Sequence, residues 1–116
     1  MTKKQNYLFG IVAEKIAIFL LFLKGYKILA WRYKSMFGEI DIIAKKGRII
    51  VFVEVKARSS KIIDEEVLLQ KQVKRIKKSA QFFILQNPRF FEYDLRFDFI
   101  EISKSYLPKH YVDFIS

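Results

Sequence analysis

The residues best suited to chemistry are two acids and a lysine near the middle of the chain. Asp41 lies in Glu39-Ile40-Asp41-Ile42-Ile43-Ala44, and Glu54 and Lys56 close the run that begins at Ile49. The two runs have the β-branched make-up of strands, and Lys45-Lys46-Gly47-Arg48 between them reads as a hairpin turn. If Gly47-Arg48 is the turn, with glycine at the first central position of a type II′ turn, Ala44 pairs with Val51 and Asp41 with Glu54. If Lys46-Gly47 is the turn, Asp41 faces Phe52 and is diagonal to Glu54. Both registers have the same parity, so Asp41, Glu54 and Lys56 are expected on one sheet face.

Two carboxylates at such range repel unless a proton or a cation lies between them. Mg²⁺ or Mn²⁺ suits the pair, because hard cations take carboxylate and carbonyl oxygens, and the backbone carbonyl of Val55 is a further candidate donor. An ion there could polarise a phosphoryl oxygen and acidify a water, with Lys56 orienting the water or offsetting charge on the phosphate. The chemistry that fits is hydrolysis of a phosphodiester. A glutamate and a lysine two residues apart form a weak motif alone, and a solvated strand end with an unrelated aspartate across the hairpin is the plain alternative.

These residues need elements to hold them. A helix is expected from about Tyr7 to Leu23, with Leu8, Val12, Ile16, Phe19 and Leu23 on one stripe and Gly25 to stop it. Its second half is apolar nearly all round, so that half must be sandwiched or meet a partner. Glu14 is a lone acid on another side of this helix, and the residues alone read it as exposed. Lys27 to Tyr33 reads as a first strand. The nearly continuous apolar run Ile49 to Val55 reads as a central strand covered on both faces. A second helix is marked by Leu69, Val73, Ile76, Ala80, Phe83 and Ile84 and ends before Pro88. Asp94 to Ile102 is the last expected strand, and the tail from Tyr106 carries no clear pattern.

Length and charge set bounds on this design. The 116 residues fit one domain, with a 52% hydrophobic content sufficient for one core. Twelve Phe and six Tyr against four Gly and two Pro describe regular elements joined by short loops. The formal charge of +10 favours a polyanion. No cysteine and a single histidine, His110, exclude disulfide frameworks, thiolate metal sites and His-rich zinc sites. The cysteine count suits a reducing cytoplasm. Lys3 and Lys4 ahead of the apolar run Ile16 to Leu23 imitate a signal peptide, but Glu14 and Lys15 interrupt it, and the run is shorter than the roughly 20 residues of a span. Neither export nor stable membrane association is therefore expected.

The blocks Gly38-Glu39-Ile40-Asp41-Ile42-Ile43-Ala44, Val51-Phe52-Val53-Glu54-Val55-Lys56-Ala57-Arg58 and Arg96-Phe97-Asp98 resemble the signature blocks of the YraN-like family of predicted bacterial endonucleases. The resemblance extends over most of the chain, from Gly10 and Glu14 through Gly25-Tyr26 and Ile28-Leu29-Ala30. That family is assigned to the restriction-endonuclease-like superfamily with its PD-(D/E)xK motif. The resemblance implies an α/β fold with a mixed β-sheet flanked by α-helices. It further implies that Asp41 and Glu54 bind metal, that Lys56 assists, and that Glu14 reaches the site from the first helix. A lysine usual in the family's second helix aligns with Gln72, next to Lys71. Arg32 and Lys34 stand where members more often have Asn and Arg.

The expectation is thus a Mg²⁺- or Mn²⁺-dependent endonuclease acting on nucleic acid, DNA before RNA, by analogy at branched structures. Its candidate catalytic residues are Glu14, Asp41, Glu54, Lys56 and Gln72. Arg58, Lys71, Lys74, Arg75 and Lys78 are the candidate phosphate contacts, against the plain reading of a solvated helix face. A homodimer is expected from the apolar first helix and the symmetry of many related nucleases. The rival reading is a binding module with a nuclease-like fold that does not cut. Arg96 and Asp98 read as an ion pair anchoring the last strand, and His110 as an ordinary tail residue.

Overall fold

A computed structural model describes residues 2–57 and 65–115; the side chains of residues 65–69 and 115 lie outside that description. Helix α1 (Lys3–Leu23) is followed by strands β1 (Lys27–Ser35), β2 (Gly38–Lys46) and β3 (Ile49–Ala57). Helix α2 (Glu65–Gln86), a 3-10 turn (Pro88–Phe90) and strands β4 (Asp94–Ile102) and β5 (Pro108–Ile115) complete it. The strands form one sheet in the order β1-β2-β3-β4-β5. β3 and β4 are parallel and every other neighbouring pair is antiparallel. The sheet is mixed because a parallel pair needs a crossover, and α2 supplies it.

The β2–β3 hairpin takes the first of the two registers, with Ala44 opposite Val51 and Lys46 opposite Ile49. Gly47 has φ +58° while Arg48 is not left-handed, which fits the type II′ turn that glycine at this place permits. Central strand β3 is covered on both faces. Val51, Val53 and Val55 pack with Ile42, Ala44, Ile100 and Ile102 beneath α1. Ile50 and Phe52 pack with Ile40, Ile43, Phe90 and the α2 residues Ile76, Ala80 and Phe83. The apolar stripe of α2 thus faces the sheet, with Val73 and Ile84 at its margin.

α1 begins four residues earlier than its apolar pattern, because Thr2 and Gln5 form a reciprocal capping box. Its docking face corrects the sequence expectation. The buried stripe is Phe9, Ala13, Ala17 and Leu21, whereas Leu8, Val12, Phe19 and Leu23 are exposed. Both stripes are apolar, so periodicity could not choose between them; the alanines let the helix axis approach the sheet where larger side chains would hold it away. α1 as a whole is long and apolar enough to cross a membrane by length and composition, a criterion that the core helix of a soluble protein also meets. Here its small-residue stripe is part of the core under the sheet.

The tail forms a strand that its sequence does not announce. β5 pairs with β4, and its register shifts between Phe97 and Phe99. The shift sets Asp98 opposite a bulge, where Asp113 takes a left-handed φ of +55°. The bulge is filled from the other strand, since Asp98 accepts the Asp113 N–H at 2.8 Å.

Candidate active site

The acid pair arises where the β2–β3 ladder stops. Backbone pairing ends at Ile42 opposite Val53, one rung before Asp41 and Glu54 would meet. The Asp41 side chain enters the gap, and its Oδ2 accepts the Val55 N–H at 2.8 Å. Side-chain alternation breaks at the same level. Ile40 and Ile43 both pack in the α2 core, although an undisturbed strand would send them to opposite faces. The acids therefore meet because the ladder opens, and strict strand parity is only part of the reason.

Asp41 and Glu54 wall a cleft of about 290 Å³ together with Gly38, Glu39, Gln72, Arg75 and Ile76. It lies between the end of the β2–β3 hairpin and the middle of α2. The hairpin joining β1 and β2 is clamped to α2: the Ser79 hydroxyl donates to the Gly38 carbonyl at 3.3 Å and lies 2.9 Å from the Ser35 hydroxyl. Ser35 also accepts the Phe37 N–H. Gly38 has φ +137°, a backbone conformation that favours glycine, while a Cβ there would only make ordinary contact with Arg75 at 3.5 Å.

The electrostatics of the pair are unfavourable without a cation. Burial, then the neighbouring Asp41 charge, pushes the Glu54 carboxyl up to about 8, against the lesser pull of Lys56. Burial also raises Asp41; the Val55 N–H opposes this and the Glu14 charge adds to it. The two carboxyls each perturb the other's ionisation, and the net effect is to favour the protonated form of Glu54. Such a pair is protonated or cation-bound, and its hard oxygen donors suit Mg²⁺ or Mn²⁺. Among the described residues no three His, Asp or Glu side chains form a metal-ligand group. A cation here would rest on the two carboxylates and, for Mg²⁺, on water, a usual arrangement for that ion.

The other candidates differ in what they reach. Lys56 acts electrostatically on both acids but does not wall the cleft. Glu14 also acts on Asp41, yet its carboxylate is held by Trp31 Nε1 at 2.8 Å and Arg32 Nε at 2.9 Å. Gln72 and Arg75 line the cleft from α2, while Lys71, Lys74 and Lys78 are exposed on that helix away from its lining. Arg58 lies outside the described residues.

Sequence reasoning named Arg32 only as standing where family members more often have Asn, and missed that the backbone there is left-handed, φ +55°, a conformation Asn tolerates well. It also missed His110, which corrects the reading of an ordinary tail residue. The His110 side chain is 3% exposed, and its Nε2 lies 2.8 Å from Asp98 Oδ2. Lys24 Nζ, a donor only, lies 2.8 Å from Nδ1, so the proton sits on Nε2 and points at Asp98. Asp98 also accepts two hydrogen bonds from Arg96, at 2.9 and 2.8 Å, and Arg96 Nη2 donates to the Tyr26 hydroxyl. The Arg96–Asp98 ion pair is part of a buried network beneath α1.

The chain is similar throughout to a set of bacterial proteins. It is 40% identical over 107 residues to a UPF0102 protein of Parvibaculum lavamentivorans, covering 92% of this chain and 80% of that one. It is 43% identical over 103 residues to a UPF0102 protein of a Bradyrhizobium species, covering 89% and 76%. The UPF0102 protein of Rhizobium etli is 38% identical over 104 residues, covering 90% and 85%. The model of the family described as "Uncharacterised protein family UPF0102" matches residues 13–102, which contain Glu14, Asp41, Glu54, Lys56 and Gln72. The chain belongs to the UPF0102 family, the YraN-like family that its sequence blocks resemble.

Proposed function

We propose that this protein is a metal-dependent endonuclease that hydrolyses phosphodiester bonds in nucleic acid, with Asp41 and Glu54 as the metal-binding pair. The observation that carries the reading is the meeting of two half-buried carboxyls that disfavour each other's charge in one cleft, where the sheet ladder opens to admit the Asp41 side chain. Placing like charges in a poorly hydrated site costs free energy, and a divalent cation offsets that cost. When bound, the ion would supply positive charge to the phosphoryl oxygens and increase the acidity of water.

The chain's own residues account for the remaining work. Asp41, fixed by the Val55 N–H, and Glu54 would hold the cation in the cleft they line. Lys56 lies within electrostatic reach of both, suited to hold a water or offset charge on the phosphate. Arg75 and Gln72 offer a cation and an amide to the phosphate chain at the α2 wall. The exposed Lys71, Lys74 and Lys78 extend positive charge along the helix, and the net +10 draws a polyanion to it. Reaction in the cytoplasm, where Mg²⁺ and nucleic acid are both present, is part of this proposal.

The test is incubation of the purified protein with single-stranded, duplex and branched DNA and with RNA, in Mg²⁺ or Mn²⁺, beside Glu54→Ala and Lys56→Ala variants. Cleavage that needs the divalent ion and falls by at least about a hundredfold in either variant is expected, the scale on which acid–base and electrostatic groups act. Salt-sensitive binding without cleavage in any of these conditions would instead establish the non-catalytic binding module.

A further inference from the structure

Arg32 has a backbone conformation that its own side chain does not favour. Its φ is +55° within β1, a left-handed value that crowds the Cβ of any residue but glycine and is best tolerated by Asn or Asp. Strain of this kind persists where surrounding contacts enforce it, and it gathers at binding and catalytic sites. Here its consequence is visible. Trp31 and Arg32 are neighbours in a strand and should point to opposite faces, yet both reach the single carboxylate of Glu14 on α1.

The place of this rung matters as much as its shape. It lies between the pairs Trp31–Ile42 and Tyr33–Ile40, which sets Arg32 across from Asp41. Glu14, which holds Arg32, is close enough to Asp41 for its charge to disfavour ionisation there. The contact to Glu14 uses Nε, and the Arg32 side chain remains 40% exposed. Its guanidinium carbon lies 5.2 Å from the centre of the Trp31 ring. Glu14 is only 16% exposed, but an ion pair whose cation is this open to water contributes little to stability, so a strut alone does not account for a left-handed backbone. A held, solvent-facing guanidinium does suit phosphate, whose oxygens match its planar fork.

We infer that Arg32 binds a backbone phosphate of the nucleic acid on the α1 side of the acid pair, with Glu14 and Trp31 as its positioning residues. The inference rests on the nucleic-acid part of the function proposed above. It makes the site two-sided: Arg75 grips the chain from α2, Arg32 grips it from the β1 edge, and the acid pair lies between them. Glu14 then serves the site by aiming Arg32.

The test is binding of the full-length protein to a fluorescent duplex, followed by anisotropy in chelator from 50 to 300 mM salt (concentrations of about this range resolve the counterion slope). Arg32→Asn keeps a residue at ease in the left-handed region and removes the cation; Arg32→Lys keeps the cation. Arg32→Asn is expected to melt no lower than wild type, to bind roughly fivefold more weakly at low salt and to lose about 0.9 from the slope of log affinity on log salt, one phosphate's share. Arg32→Lys is expected to retain the slope. An unchanged slope and affinity in Arg32→Asn would overturn the inference, and so would a wild type that binds no polynucleotide. If wild type binds and Arg32→Asn loses one phosphate's slope, yet nothing is cleaved in Mg²⁺ or Mn²⁺, the nuclease reading fails and the Arg32 contact stands. If cleavage is metal-dependent and binding is unchanged in Arg32→Asn, the nuclease reading stands and the Arg32 contact fails.

Discussion

Asp41 and Asp98 occupy the same kind of place and meet opposite fates. Each sends its carboxylate into a gap in a strand ladder, and each accepts a backbone N–H from the neighbouring strand at 2.8 Å, Val55 for one and Asp113 for the other. Around Asp98 the remaining contacts are with Arg96, bidentate, and with the His110 Nε2–H. Burial by itself would raise Asp98, but His110, Arg96 and the Asp113 N–H outweigh it and hold the carboxyl at about 2. Around Asp41 the close neighbour is another acid, Glu54, which burial and repulsion push up to about 8. The satisfied aspartate is a fastening for β5. The unsatisfied pair is where a ligand would bring the missing charge, which is why the cleft rather than the network carries the functional reading.

Removing the carboxylate that completes the satisfied network should have the largest effect on stability. Asp98→Ala leaves the Arg96 guanidinium and the His110 N–H without their shared acceptor, and should cost about 3–5 kcal/mol in urea unfolding, as for a broken buried pair. A cost below about 1 kcal/mol, the range of exposed pairs, would mean that the network fastens nothing.

The acid limb of the stability profile tests the same network by titration. Asp98 is depressed in the folded state, so its contribution is complete above the unfolded carboxyl value of about 3.9 and is lost as pH falls through that value towards about 2. Wild type should lose roughly 2 kcal/mol over that window through this group, and Asp98→Asn should flatten that part of the curve. An unchanged acid limb in the variant would show that the depression is not realised in solution.

The cleft should respond in the opposite sense, with a smaller effect. Glu54→Gln relieves a like-charge contact, so in chelator at about pH 9, above the raised carboxyl, the variant should be more stable than wild type by about 1 kcal/mol. Added Mg²⁺ or Mn²⁺ should raise the melting temperature of wild type and have little effect on Glu54→Gln. Greater stability of wild type in chelator would sink the account of a strained acid pair.

Much of the framework is legible in the residues because short-range physics writes it there. Gly47 makes a two-residue turn possible, the β2–β3 run is rich in β-branched residues, and Ile76, Ala80 and Phe83 recur at helical spacing. Two failures have a common cause. α1 has two apolar stripes, and only the surface it meets could select Ala13 and Ala17 over Val12 and Phe19. β5 is a strand because β4 offers an edge and Asp98 stabilises its bulge, and the residues from Tyr106 onward carry no such instruction alone.

The sequence set two acids and a lysine on adjoining strands that a hairpin turn brings together. It also set the basic residues of α2 at helical spacing. The tertiary structure decided which charges are answered. Glu54 meets Asp41 because a ladder opens at one rung; Glu14 is occupied by Arg32 because a backbone turns left-handed; His110, 12 residues beyond Asp98, closes a network through the β4–β5 pairing. These outcomes depend on desolvation and on contacts between segments far apart in the chain, quantities that local residue type and periodicity do not contain.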